Sequence, residues 1–262
     1  MVLAELLDNG QLSAADIRAK THNIREQLLK QSAHVRLGNF ESIHPHDLQT
    51  LLWEYDQEFF RGAIRTTIGK TPLKFRLSRR LTSAAGQVTR RFVRAGGKKR
   101  NVEYEISVSS TILFQTFGEA ARPIKASGLM CHDRLDALQR VFEHEVVHLA
   151  ELLVWSDSHC TGRRFQSIAR RFFGHREHTH QLVTPRERAW TKFGLKIGDR
   201  VTFQLDGKCY QGRLNRITRR ATVLVENPRG LRYSNGRRYS KFYVPLAQLA
   251  PDSHGSLREP TL

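Results

Sequence analysis

Two histidines four residues apart, with a glutamate directly after the first, stand in the segment RVFEHEVVHLAELLVW (140–155). On an α-helix, residues i and i+4 lie one above the other on a single face. His144 and His148 would then offer two imidazole nitrogens to adjacent corners of one tetrahedral ion, and Zn2+ is the expected metal. Glu145, one position on, points beside that site and not into it. It can accept a proton from a water at the ion without using a ligand position. Uncharged Val146 and Val147 separate the histidines and Leu149 follows them, which marks the helix as buried. Two histidines and a glutamate in such a helix are costly unless a metal or hydrogen-bond partners satisfy them. The expectation is a zinc site with His144 and His148 as ligands and Glu145 as catalytic base.

A catalytic zinc of this type takes a third protein ligand and leaves its fourth position to water. Four residues compete for that place. His159 and Cys160 lie just past the loop that ends the helix, where the chain can turn back. Glu151 is three residues after His148, but a ligand that far along one straight helix would have to stretch. His175 lies beyond the next helix, in FGHREHTH with His178 and His180. His159 is the expected third ligand, with Glu151, Cys160 and His175 as alternatives.

These residues need elements to hold them. A helix is expected over 134–155 and another over 163–174, the second ending at a glycine. PHDLQTLLWEYDQEFFRG (45–62) places Leu48, Leu51, Leu52, Tyr55, Phe59 and Phe60 on one stripe. LKFRLS (73–78), GQVTRRFVR (86–94) and EYEISVSS (103–110) read as strands. Residues 1–40 read as a polar, helical accessory extension, with Ser13 to Asp16 resembling a capping box.

Composition changes near 193. Short alternating β-branched runs follow at close spacing, punctuated by Asp-Gly and Asn-Pro, and suggest a small SH3-like barrel over 193–251. Residues 183–192 would be a linker and 252–262 a flexible tail.

Charge points to a partner. The chain of 262 residues carries 43 Lys+Arg against 25 Asp+Glu, a net +18. Such an excess favours polyanions, because each cation at a phosphate releases condensed counterions. Residues 193–250 hold 12 of the basic residues and only three acids, with aromatics interleaved in LRYSNGRRYSKFY. Arg216, Arg219, Arg220, Arg237, Arg238 and Lys241 are the expected nucleic-acid contacts, guanidinium groups taking phosphates and rings stacking bases. A second basic stretch, RRFVRAGGKKR (90–100), falls in the other half. Mean hydropathy is −0.48 and no apolar run is long enough to span a bilayer. The start carries an acid where a secretion signal has positive charge. Three widely spaced cysteines argue against a disulfide framework or a zinc ribbon. A cytoplasmic, nucleic-acid-associated protein with no membrane partner is expected.

Residues of about 45–182 resemble the SprT-like zinc metalloproteases, relatives of the Spartan DNA–protein crosslink protease. The matching features run in order: LLWEYDQEFFRG, KFRLSRRLTSAAGQV, YEISVSS, HEVVHLAELL and SHCTGRRFQSIARRFFGH. The resemblance implies an α+β, zincin-like domain with a three-stranded sheet packed on the zinc helices. It also implies peptide hydrolysis, protein substrates on or near DNA or RNA, and a third ligand from a Gly-His-Gly-like segment. Here SHCTG stands in that place. Substrate is expected to lie extended along EISVSS, taken as an edge strand.

Overall fold

The structure is a computed structural model that describes residues 2–95, 99–119 and 122–252. It is mixed α+β and divides into two units, Met1–Leu182 and Val183–Leu262.

In the first unit the elements run α1 (Leu3–Asn9), α2 (Ala14–Gln31), α3 (Pro45–Phe60), α4 (Ala63–Ile68), β1 (Leu73–Ser78), β2 (Gly86–Ala95) and β3 (Lys99–Ser109). They continue with α5 (Ser110–Glu119), β4 (Ile124–Ala126), β5 (Leu129–Cys131), α6 (Arg134–Trp155) and α7 (Arg163–Phe173). Helix α6 is the axis of the unit. Asp133 caps it by accepting from the Asp136 N–H. Arg25 of α2 grips the same end through Asp133 and Asp136, at 2.5 and 2.9 Å. On α7, Phe165, Ile168, Ala169, Phe172 and Phe173 are all buried, the spacing of an apolar stripe one helix face wide.

The N-terminal helices are not the polar accessory that their composition suggests. Leu3, Leu7, Ile24 and Leu28 are fully buried. The Arg171 guanidinium of α7 donates to the carbonyls of Leu7 and Gly10. A few well-placed apolar residues are enough to dock a polar helix, because only one narrow face needs covering.

Strands β1, β3 and β2 form a sheet in that order, with β1 parallel and β2 antiparallel to β3. This corrects the substrate-edge expectation. The EISVSS segment lies in β3, which is paired on both sides, so its backbone groups are already used. The edges of this sheet are β1 and β2.

The second unit contains α8 (Pro185–Phe193), β6 (Arg200–Leu205), β7 (Lys208–Ile217), β8 (Ala221–Arg232), β9 (Arg238–Val244), a 3-10 turn (Leu246–Gln248) and β10 (Ala250–Pro251). The segment expected to be a linker is thus mostly helix. Thr184 caps it by accepting from the Glu187 N–H, and Pro185 occupies the first turn, where its missing N–H costs nothing. Its Ala189 is buried in one core with Leu195, Val201, Phe203, Leu214 and Val223. The five strands form an antiparallel sheet in the order β10-β6-β7-β8-β9. Among the described residues no ladder joins β9 to β10, so the sheet is open and the expected barrel closure is absent. Asp252 is held by Gln211 and by the Arg200 backbone, and 253–262 lie outside the described residues. The same is true of the side chains of 94–100 in the second basic stretch. Among the described residues no helix is long and apolar enough to cross a membrane.

Candidate metal centre

Helix α6 brings His144 and His148 together as the i, i+4 spacing requires. Their Nε2 atoms face each other at 3.2 Å, and the rings pack against Phe165 of α7 at 4.7 and 4.5 Å between centroids. Burial and the neighbouring imidazoles push their pKa values down, to about 3 for His144 and about 4 for His148. Both rings are therefore neutral at pH 7 and keep a lone pair for a metal.

A third candidate donor comes from the loop between α6 and α7. Ser156 ends α6 in a left-handed conformation (φ 64°), and Gly162 begins the approach to α7. Within that loop the Cys160 thiol turns inward. His144, His148 and Cys160 place one ligand atom each within 4.8 Å of one another. His159, the expected third ligand, is exposed and lies outside this group; the residue that the structure brings to the two imidazoles is Cys160.

The other two alternatives have different duties. His148 Nδ1 lies 2.7 Å from Ser158 Oγ, whose hydroxyl donates to Glu151 Oε2 at 2.5 Å. Glu151 is held in turn by Arg164 Nε at 2.7 Å, and Arg164 stacks on Trp155. This chain sets the tautomer of His148: with Nδ1–H donating to Ser158, Nε2 must be the acceptor that faces the site. Glu151 thus orients His148 and lies outside the group of candidate donors. His175 is buried against Glu143 at 2.9 Å, and Glu143 also receives Arg140 at 2.8 Å and the Tyr55 hydroxyl at 2.9 Å. This is a structural ion cluster beneath α6. Glu143→Ala would leave Arg140 buried without its anion, and the expected cost is about 3–5 kcal/mol of stability, read from denaturant unfolding. Unchanged stability would show that the cluster is not a structural tie.

Glu145 is buried, and burial pushes its pKa up to about 8, with the nearby Val88 backbone amide acting the other way. Its Oε2 has no hydrogen-bond partner. A carboxylate in this condition is costly unless a cation or water completes it. A divalent ion at the adjacent imidazoles would also draw the pKa back down. The residues present fit a metal. Gly86, at the start of β2, lies so close that a Cβ there would come within 2.5 Å of Glu145 Oε1. A side chain at position 86 would displace the Glu145 carboxyl, so glycine there lets strand and carboxyl approach closely. Nothing in the sequence marks Gly86, Ser158 or the inward turn of Cys160 beyond their residue types.

The six expected nucleic-acid contacts are spread over β7, the turn to β8, the turn to β9 and β9 itself. Arg216 is near the end of β7, and Arg219 and Arg220 lie in the turn to β8. Arg237 pairs with Glu226 at 2.6 Å, Arg238 donates to the Gly230 carbonyl, and Lys241 sits over the Tyr233 ring. Comparison of the chain with protein-family models, with curated proteins and with solved structures finds no match.

Proposed function

We propose that the first unit is a zinc endopeptidase of SprT-like, zincin-like type, and that the second, a small basic β-sheet module, directs it to protein bound to nucleic acid. The observation that carries the first half is the convergence of two neutral imidazoles and one thiol beside a buried carboxyl with an unpartnered oxygen. A thiolate with two imidazoles favours zinc over magnesium or calcium, which prefer oxygen. When bound, the ion supplies Lewis acidity for activating water and polarising a carbonyl.

The chain's own residues do the rest. Glu145 takes a proton from the attacking water and delivers it to the leaving nitrogen. Cys160 would hold the ion together with His144 and His148, and its sulfur would offset part of the ion's charge. Ser158, Glu151 and Arg164 keep His148 in the binding tautomer. Strand β2 is an edge of its sheet and begins against Glu145, so its unpaired backbone groups can hold an extended peptide with little regard for side chains. Broad specificity limited by recruitment follows from such a site.

The test is cleavage of an unfolded protein by the full chain. Chelation should abolish turnover and stoichiometric zinc should restore it. Turnover that persists after complete metal removal would overturn the proposal.

A further inference from the structure

In the antiparallel β6/β7 pair, Arg200 stands directly opposite Arg213. Register carries the same row onward, from Arg213 to Leu224 on β8 and from Leu224 to Lys241 on β9. Directly paired residues share a face of the sheet. The opposite face holds Val201, Phe203, Leu214 and Val223, which are core. The row is therefore on the outer face, with Arg200, Arg213 and Lys241 exposed.

Like charges directly across a strand pair are destabilising unless something relieves them. Asp252, beside Arg200 across the β10/β6 ladder, takes Gln211 through its carboxylate and forms no ion pair with either arginine. Among the described residues neither Arg200 nor Arg213 makes a side-chain hydrogen bond or ion pair, whereas Arg237 nearby is engaged by Glu226. Arg200 and Arg213 line a cavity of about 690 Å³, together with Gln211, Asn235, Arg237 and Tyr239. Tyr243 is two residues from Lys241 on the same strand, hence on the same face, and is 64% exposed.

We infer that this outer face is a binding site for single-stranded nucleic acid, with Arg200 and Arg213 jointly clamping a backbone phosphate and Tyr243 offering a stacking platform. It rests on the reading that the second unit binds nucleic acid, and assigns that binding to residues other than the arginines of the β7–β8 turn. Paired guanidinium groups match phosphate oxygens through forked donors. Phosphate-tracking cations beside an exposed ring are the combination that suits a single strand, whose bases are open to stacking.

The experiment measures binding of the full chain to labelled single-stranded DNA and RNA of about 15 nucleotides, and to duplex DNA, over a salt series. Arg200→Ala/Arg213→Ala should lower single-strand affinity at least about tenfold and flatten the slope of log affinity against log salt by about 1.4, two phosphates at about 0.7 each. Its melting temperature should be unchanged or higher, because a repulsion has been removed; a merely structural pair would lower it. Tyr243→Ala should weaken binding with the slope unchanged. A preference for DNA or for RNA would identify the source of the strand, and either supports the site. The inference is overturned if the wild type binds single strands and the double variant binds equally well. Loss of binding only in Arg219→Ala/Arg220→Ala, or tighter binding of duplex than of single strands, overturns it too. If the wild type binds none of the three at low salt, the nucleic-acid reading itself fails.

Discussion

Zinc-loaded Glu145→Gln is expected to hydrolyse peptide bonds about 10²–10⁴-fold more slowly than the wild type, the range that general acid–base groups contribute. The amide is nearly the same size and keeps the packing against Gly86, but it cannot accept the proton of the attacking water. Zinc content should stay at one per chain, because Glu145 is not among the converging donors. The variant should also be at least as stable as the wild type without metal, since a buried, unpartnered carboxyl has been replaced by a neutral group. Turnover and metal content must be measured on the same sample. Undiminished turnover with full zinc would remove Glu145 from the mechanism.

Cys160→Ala is expected to weaken zinc binding by more than about 100-fold, since even groups that only orient ligands are worth about 10–100-fold. His159→Ala should bind zinc as the wild type does. Thiol labelling reads the same assignment independently. Cys209 is exposed and should react at once, whereas burial pushes the Cys131 thiol up to about 12 and protects it. Cys160 should react in the metal-free protein and be shielded when zinc is added. If His159→Ala strips the metal and Cys160→Ala does not, the third ligand is His159.

The helix that carries the two imidazoles was legible, expected over about 134–155 and found at Arg134–Trp155. Its metal-binding spacing and the apolar residues around the histidines marked it, and the structure adds the cap at Asp133. Strands β1 and β2 were legible for a similar reason, as short β-rich runs between turn formers. The third ligand was not, because linear spacing places His159 and Cys160 equally well and only the loop's backbone decides which turns inward. The position of β3 was also hidden. Its hairpin with β2 is local, but its parallel pairing with β1 brings together residues about thirty positions apart and depends on the chain between them. Helix α8 looked like a connector because its two buried residues, Pro185 and Ala189, are a weak signal among charged neighbours. Charge counting located a basic module but not a face. The Arg200–Arg213 pairing needs strand register, which the alternation of residues does not supply.

X-ray absorption at the zinc edge of the purified full chain tests the metal centre most directly. The account predicts one zinc per chain with a single sulfur neighbour at about 2.3 Å and two imidazole nitrogens at about 2.0 Å. The sulfur shell should vanish in Cys160→Ala and persist in His159→Ala. A shell of nitrogen and oxygen alone in the wild type, or no bound zinc at all, would contradict it.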